Sequence, residues 1–139
     1  MPRVVLDTNV LISAIVGHGT PRRLVLELLK HQVVITSREL LAELLDVVAR
    51  EKFRDIEKNQ INSFVAIVAS KSLIVKLKGQ PDIVKDDPDD NVVLASAKEG
   101  KADYIVSGDQ HLLDLKQFRG IKILSVKEML EVIRFFEDK

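Results

Sequence analysis

The sequence predicts an α/β protein in which helices cover both faces of a central parallel sheet. Short runs of aliphatic and β-branched residues alternate along the chain with longer segments whose apolar residues recur at helical spacing. The short runs are apolar almost throughout, which is typical of parallel strands that are buried on both faces. We therefore expect a three-layer α/β/α sandwich with a central parallel sheet of four to five strands.

Five short runs have the composition of buried strands. They are residues 3–6, 33–35, 73–77, 104–106 and 121–124. The KGQP stretch at 78–81 ends the third run and begins a loop. Crossovers between parallel strands are right-handed, so these runs can be arranged in few ways.

Helix signals occupy the segments between these runs. Apolar residues at helical spacing predict helices near 61–68 and 92–97. Three other helix starts are marked by capping patterns: Thr20 followed by Pro21, Thr36 with Glu39, and Ser125 with Glu128. Helices therefore alternate with strands, as the crossovers of a parallel sheet require.

Composition and charge narrow the class of protein. With 139 residues and no repeat or linker, the chain is expected to form one domain spanning 1–139. Lysine plus arginine equal aspartate plus glutamate at 21 each, so the net charge indicates neither nucleic acid nor membrane as a partner. Cysteine is absent, which excludes disulfides and thiolate metal sites. No apolar run approaches the roughly 20 residues that span a bilayer, and the N-terminus lacks the pattern of a signal peptide, so we expect a cytoplasmic protein.

Acidic residues follow the predicted strands at the point where each strand ends. Asp7 directly follows the first strand, and Asp109 closely follows the fourth. The KDDPDDN stretch at 85–91 lies after the third strand, and Glu43 lies about two turns into the helix after the second. The carboxyl ends of parallel strands meet at one edge of the sheet, where α/β proteins place their sites. We expect the acids to converge there, with Glu43 partly buried at the margin of the core.

Helix capping is the alternative explanation for several of these acids. Asp7, Asp87 and Asp109 each precede a predicted helix and could act as its N-cap. Capping does not explain why the acids collect at one edge of the sheet, nor why Glu43 lies at a core margin.

A cluster of carboxylates needs something to relieve its repulsion. Two like charges about 4 Å apart repel by about 4 kcal/mol at an effective dielectric constant of about 20. Lysine and arginine are scarce in these segments, which leaves protonation or a bound cation. Oxygen ligands without histidine or cysteine favour the hard cations Mg²⁺ and Mn²⁺. Few protein ligands and several waters would suit Mg²⁺ and leave coordination positions for phosphate oxygens.

Four motifs, in this order along the chain, resemble the signature of the PIN-domain family. They are DTN at 7–9, ELLAELLDVV at 39–48, DDNVVLASA at 89–97 and SGDQHLL at 107–113. The resemblance covers nearly the whole chain and extends to the stand-alone VapC-type toxins of toxin–antitoxin pairs. It implies a PIN-like fold and a metal-dependent ribonuclease whose products carry a 5′-phosphate and a 3′-hydroxyl.

The resemblance implies a role for each matching residue. The acids that would bind Mg²⁺ or Mn²⁺ and act in catalysis are Asp7, Glu43, Asp90 and Asp109. Asp87 would be a further ligand or only the start of its helix. The polar residues that would orient the acids or the bound phosphate are Thr8, Asn9 and Ser107. The family often has threonine where Ser107 stands, and serine keeps the hydroxyl.

Substrate and partner residues are less clearly marked. The chain has one tyrosine and no tryptophan, so an RNA substrate would be held mainly through its backbone rather than by aromatic stacking. Residues suited to such contacts are Arg22, Arg23 and Arg38, for which a solvated helix face is the alternative. The resemblance also implies an antitoxin protein as partner and a homodimer, for which Val25, Leu26 and Val47 offer apolar surface.

Two other functions fit parts of the sequence. A haloacid-dehalogenase-type phosphatase also places a nucleophilic aspartate after the first strand, and Gly108-Asp109 with Asp114 resembles its later acidic motif. That family usually has a second acid two residues after the nucleophile, where this chain has Asn9, which cannot transfer the proton. The third function is that of a catalytically silent acidic module that acts by binding its partner.

Overall fold

The computed structural model describes residues 1–17, 19–50, 53–78 and 88–137 of the chain. Helices and strands largely alternate in these residues, as the sequence predicts. In chain order they are β1 (Arg3–Leu6), α1 (Thr8–Val16), α2 (Thr20–His31), β2 (Val33–Ser37), α3 (Arg38–Val48), α4 (Lys58–Lys71), β3 (Leu73–Val75), α5 (Pro88–Glu99), β4 (Tyr104–Val106), α6 (Gln110–Leu115), β5 (Gln117–Phe118), β6 (Ile121–Leu124) and α7 (Val126–Glu137).

The strands form one sheet in the order β3-β2-β1-β4-β6-β5. The strands from β3 to β6 in this order all run parallel, which confirms the predicted fold class. The two-residue strand β5 pairs antiparallel with β6 and adds an edge that the sequence does not predict. Two residues are too few to show the alternation by which a strand is recognised, so this hairpin leaves no periodic signal.

Alternating side chains of the sheet feed two hydrophobic clusters. Val4 and Leu6 point into a cluster formed with α1, α2, α4 and α7, whereas Val5 points into a cluster formed with α5 and α6. Helix α3 contributes to both, because Leu40 packs in the second cluster and Leu44 in the first. These clusters are the two interfaces of the predicted three-layer sandwich, and α3 crosses from one to the other at the end of β2.

The register between β1 and β4 places two of the predicted site residues. Leu6 pairs with Val106, so Asp7 and Ser107 leave the sheet side by side. The Asp7 N–H donates to the Val106 carbonyl at 3.0 Å, which extends the pairing past the end of β1. The carboxyl edge of the sheet thus joins residues that are 100 positions apart in the chain.

The third strand is shorter and more exposed than predicted. It ends at Val75 rather than at residue 77, and Leu73 and Ile74 are 43% and 46% exposed. The apolar run indicates a buried strand, but β3 is an edge strand of the sheet formed by the described residues. Most of the KGQP stretch lies outside those residues.

No helix among the described residues combines the length and apolar character needed to cross a bilayer.

The start of α3 lies one residue later than predicted. Thr36 and Glu39 do not form the expected capping box; Ser37 is the N-cap, and its Oγ accepts from the Leu40 N–H at 3.2 Å. The prediction is wrong because β2 continues through Ser37, whose pairing with β3 keeps Thr36 within the sheet. Strand pairing, which depends on a distant segment, overrides the local capping pattern.

Of the two other predicted capping patterns, the structure confirms the one at α7 and shifts the one at α2. In α2 the N-cap is Gly19 rather than Thr20, and Pro21 lies in the first turn. Ser125 and Glu128 form the predicted capping box of α7, with the Glu128 N–H donating to Ser125 Oγ at 3.2 Å and the Ser125 N–H donating to Glu128 Oε1 at 3.0 Å. The backbone N–H of Ser125, followed by its hydroxyl, holds the pKa of Glu128 below its ordinary value.

The capping box should make the stability of the protein depend on pH. Because the folded-state pKa of Glu128 lies below its unfolded value, its contribution is present at neutral pH and is lost as pH falls through the lowered pKa. We expect Glu128→Gln to lower the free energy of unfolding at pH 7 and to approach the wild type near pH 3. Urea denaturation at both pH values measures this difference. Glu131→Gln, which removes the same charge from an exposed position in the same helix, is the control, and an equal effect of the two variants would contradict the assignment.

Candidate active site

Asp7 is a buried carboxylate held by a side chain from the neighbouring strand end. It is 6% exposed and occupies the N-cap position of α1, yet its side chain makes no capping hydrogen bond. Instead Asp7 Oδ2 accepts from the Ser107 hydroxyl at 2.6 Å. The capping alternative is therefore wrong for Asp7, whose side chain is oriented toward the end of β4.

Ser107 connects two of the predicted acids. Its side chain is fully buried, and its Oγ accepts from the Asp109 N–H at 2.9 Å while it donates to Asp7. Its own backbone N–H donates to the Leu124 carbonyl at 3.0 Å, which fixes the residue against β6. The hydroxyl thus donates one hydrogen bond and accepts another, and through these two bonds it contacts the Asp7 side chain and the Asp109 backbone.

Asp109 combines the two explanations that the sequence left open. Its Oδ1 accepts from the His111 N–H at 2.8 Å and so caps α6, as the alternative predicts. The side chain remains 28% exposed at the carboxyl edge of the sheet, and the His111 Nδ1 lies 3.8 Å from the same oxygen. A carboxylate offers about four acceptor positions on two oxygens, so capping through one oxygen leaves the group able to bind a cation.

The two polar residues after Asp7 differ in their surroundings. Asn9 is exposed, and its Oδ1 accepts from the Gly108 N–H at 3.3 Å, which adds a second link between the ends of β1 and β4. Thr8 is 3% exposed, and its Oγ1 has no hydrogen-bond partner in the structure. A buried hydroxyl without a partner costs about 1–3 kcal/mol, so a bound water or the hydration shell of an ion would stabilise this position.

Glu43 lies in the second turn of α3, the helix that follows the carboxyl end of β2. It is half-buried, one residue before Leu44 and three after Leu40, which pack in different core clusters. Helix α3 contacts both α1, which begins directly after Asp7, and α5. Glu43 therefore has the partly buried position at the core margin that its helical spacing predicts.

The remaining predicted acids fall largely outside the described part of the chain. Asp90 belongs to the first turn of α5, but its side chain is outside that part, and so is the whole of Asp87. Among the described side chains, no three of His, Cys, Asp or Glu form a group that could hold a metal ion by themselves. The candidate metal ligands among the described residues are all oxygen atoms. The hydroxyl of Thr8, the residue after Asp7, has no hydrogen-bond partner in the structure. This chemistry fits Mg²⁺ or Mn²⁺.

The predicted substrate-binding arginines are spread over two helices. Arg38 is exposed at the first position of α3, directly after the carboxyl end of β2. Arg22 is half-buried in α2, and Arg23 is exposed and lines a groove between α2 and α7. Arg38 is therefore the one of the three that directly follows the carboxyl end of a strand.

Two buried serines at this edge have no counterpart among the predicted site residues. Ser37 and Ser96 are both fully buried, and their hydroxyls are hydrogen-bonded to each other. Ser37 could have been found from the sequence, because it lies three residues before Leu40, where the apolar spacing of α3 begins and an N-cap serine is common. Ser96 gives no local signal, because a small residue inside a helix is ordinary.

Sequence comparison identifies the family. The sequence model of the PIN domain matches residues 3–111, a range that includes all four predicted acids. The uncharacterized protein MJ1680 from Methanocaldococcus jannaschii is 31% identical over 119 residues, which are 82% of this chain and 75% of that protein. This chain belongs to the PIN-domain family. The PIN-domain signature that the sequence resembles is thus confirmed, and membership supports a nuclease.

Solved structures with the same fold agree with this assignment. VapBC2 from Rickettsia felis, bound to a DNA fragment from its promoter, has a TM-score of 0.63 and 18% identity, covering 88% of this chain and 98% of that one. PAE2754 from Pyrobaculum aerophilum has a TM-score of 0.61 and 12% identity, covering 96% and 90%. FitAB bound to the IR36 DNA fragment has a TM-score of 0.56 and 16% identity, covering 88% and 94%. At these identities the PIN-domain fold is what the structures share.

Asp7→Asn and Ser107→Ala should have opposite effects on stability in the presence of a chelator. Asp7→Asn removes a buried charge and keeps an oxygen that can accept from Ser107, so we expect a neutral or stabilising change. Ser107→Ala removes the donor to Asp7 and the acceptor for the Asp109 N–H, and should lower the free energy of unfolding by about 1–3 kcal/mol.

Urea denaturation in EDTA measures both variants. Ser70→Ala is the control, because the Ser70 hydroxyl bonds to the Ile67 carbonyl at an exposed position of α4 and its loss should cost less. A clear destabilisation by Asp7→Asn in EDTA would show that this carboxylate supports the fold rather than a cation.

Proposed function

We propose that this PIN-domain protein is a metal-dependent endoribonuclease that hydrolyses RNA phosphodiester bonds, and that it is the toxin of a toxin–antitoxin pair. The observation that carries the proposal is the Ser107 hydroxyl, which bridges Asp7 and the Asp109 segment at the carboxyl edge of the sheet. The Ser107 hydroxyl holds the buried Asp7 carboxylate in a fixed direction and carries no charge itself. A carboxylate oriented in this way suits a cation-binding site.

The proposed site assigns separate tasks to the residues of this edge. Asp7, Glu43, Asp90 and Asp109 would hold Mg²⁺ or Mn²⁺, which lowers the pKa of a bound water and polarises the phosphoryl oxygens. Ser107 orients Asp7 by donating to Oδ2, and the His111 N–H orients Asp109 by donating to Oδ1. Asn9 holds the chain after β4 close to the chain after β1. Asp87 stands as a further candidate ligand.

Several features support RNA and an antitoxin as partners. The arginines proposed to contact the RNA backbone are Arg22, Arg23 and Arg38. Two of the structural neighbours, VapBC2 and FitAB, carry the names of two-component complexes, each bound to DNA. We extend the two-component arrangement to this chain and assign it an antitoxin protein.

The described strands form one sheet, so we treat 1–139 as a single PIN domain. We place it in the cytoplasm.

A phosphatase of the haloacid-dehalogenase type has less support. Its mechanism needs an acid two residues after the nucleophile, and here Asn9 uses its side-chain oxygen to accept from the Gly108 N–H. The match to the PIN domain over residues 3–111 also favours a nuclease. A catalytically silent binding module keeps the fold and loses only the chemistry, so an activity assay separates it from the enzyme.

The decisive activity assay compares acid variants on a mixed pool of single-stranded RNA. We expect Mg²⁺- or Mn²⁺-dependent cleavage that EDTA abolishes and that Asp7→Asn or Asp109→Asn reduces by about a thousandfold or more, because a lost metal ligand removes several kcal/mol of transition-state stabilisation. Activity should fall with added salt, because contacts to phosphates release counterions. Gel electrophoresis of labelled RNA measures the rates.

The control for this assay is an acid outside the site. Asp46→Asn changes an exposed carboxylate of α3 that lies 3.9 Å from Arg50, and it should cleave RNA like the wild type. Equal cleavage by the wild type and Asp7→Asn would identify a contaminating nuclease and remove the proposal. Cleavage of p-nitrophenyl phosphate without cleavage of RNA would favour the phosphatase, and no cleavage of either would favour the binding module.

The proposed homodimer needs a different set of apolar residues from the one the sequence suggests. Val25 is fully buried in the core and cannot contribute, Val47 is half-buried, and Leu26 is 44% exposed. Leu26 lines the groove between α2 and α7 together with Leu130 and Ile133. The apolar spacing of α2 alone does not show that Val25 is buried and Leu26 is exposed, because these neighbouring residues are both apolar.

A dimer through this groove should depend on Leu26. We expect light scattering to give twice the chain mass for the wild type and one chain mass for Leu26→Glu, because a charge buried at an interface is costly. Leu45→Glu, at a position of α3 that is 47% exposed, should stay dimeric. A wild-type monomer at high concentration would rule the dimer out.

A further inference from the structure

Two buried serines join helices that begin at the carboxyl edge of the sheet. Ser37 is the N-cap of α3 and Ser96 lies within α5, and both are 0% exposed. Their hydroxyl oxygens are 2.8 Å apart, across 59 positions of sequence. The bond is a direct polar link between α3 and α5 in a region otherwise packed by apolar side chains.

The direction of this hydrogen bond follows from the other bonds of the two hydroxyls. The Ser96 hydroxyl donates to the Val92 carbonyl at 2.8 Å, which uses its only proton. Ser37 must therefore donate to Ser96 Oγ. Ser37 Oγ in turn accepts from the Leu40 N–H at 3.2 Å. A continuous chain of hydrogen bonds thus runs from the first turn of α3 to the backbone of α5.

The two linked helices carry two of the proposed metal ligands. Glu43 lies six positions after Ser37 in α3, and Asp90 lies six positions before Ser96 in α5. Six residues correspond to about 9 Å along a helix axis, so each serine is within two turns of its acid. A rotation or shift of α3 against α5 at the serines would therefore change the spacing of the acids.

Close packing against β2 limits how far the end of α5 can shift. A Cβ at Gly100 would lie 2.6 Å from Cγ2 of Ile35, which is itself fully buried. The end of α5 therefore approaches β2 as closely as a glycine allows. With the end of α5 held over β2 in this way, the Ser37–Ser96 bond adds a directional contact between the start of α3 and α5.

We propose that Ser37 and Ser96 are positioning residues of the metal site, because their hydrogen bond fixes α3 against α5 and with it Glu43 against Asp90. The inference rests on the proposed function, since it takes these two acids as metal ligands. Apolar contacts are not directional and hold two helices together in many rotations, whereas a hydrogen bond of fixed geometry selects one. Ligands held at the correct spacing bind an ion more tightly than ligands that must be reorganised first.

The test measures metal binding rather than catalysis. Wild type, Asp7→Asn and Ser96→Ala are titrated with Mn²⁺, and the EPR signal of the free ion reports its affinity. We expect Ser96→Ala to weaken Mn²⁺ binding about tenfold, the lower end of the effect of hydrogen-bond partners behind metal ligands. Ser96→Ala should fold, because alanine is a better helix former than serine.

Matched variants separate positioning from capping and from general loss of stability. Ser37→Ala removes both the N-cap of α3 and the link to α5, whereas Ser125→Ala removes the N-cap of α7, a helix without a proposed ligand. We expect weaker Mn²⁺ binding for Ser37→Ala and wild-type binding for Ser125→Ala. The double variant Ser37→Ala/Ser96→Ala should bind no more weakly than Ser37→Ala, because both single changes break the same bond.

The outcomes distinguish this inference from the proposed function. If the wild type does not bind Mn²⁺, or if Asp7→Asn binds it equally well, the metal site itself is wrong. If Asp7→Asn loses binding while Ser96→Ala binds like the wild type, only the positioning role is overturned. If neither Ser96→Ala nor Ser37→Ala folds, the bond supports the fold rather than the site, and the inference is also overturned.

Discussion

Parallel pairing of β1 with β4 is the constraint on which the candidate site depends. The pairing of Leu6 with Val106 brings Asp7 and Ser107 out of the sheet next to each other, although 100 positions of chain separate them. The bond from Ser107 to Asp7 Oδ2 and the bond from the Asp109 N–H to Ser107 follow from that register. A slip of one residue would turn Ser107 to the other face of the sheet and separate the two acids.

Neutral donors contact both Asp7 and Asp109. The hydrogen bonds at Asp7 Oδ2 and Asp109 Oδ1 come from a hydroxyl and a backbone N–H, which fix direction without cancelling charge. The sheet and its two core clusters support the backbone at Asp7 and Asp109 independently of these bonds. Carboxylates with a rigid support suit a site for a hard cation.

Asp109 shows that a carboxylate that caps a helix can remain accessible at a candidate site. One of its oxygens holds the start of α6, and the side chain still reaches solvent at the carboxyl edge. Asp7 differs, because it occupies an N-cap position without capping. The difference arises from Ser107, which draws the Asp7 side chain toward β4 and away from the helix that Asp7 precedes. Both residues occupy an N-cap position, and the hydrogen bond from the end of the neighbouring strand distinguishes Asp7.

The sequence by itself determined the parallel α/β class and the bounds of β1, β4 and β6, because these depend on local periodicity. The collection of acids at the carboxyl edge is a prediction that it makes from a general rule of parallel sheets. Only the tertiary structure decided that Ser37 rather than Thr36 caps α3, that Val25 is buried, and that Ser37 meets Ser96. The pairing of β2 with β3 and the packing of α5 on β2 set the positions of Ser37 and Ser96, and the core cluster that α2 shares with α1, α4 and α7 buries Val25. These contacts join segments far apart in the chain. A local pattern shows which residues favour a helix or a strand, but contacts between distant segments determine which of them meet.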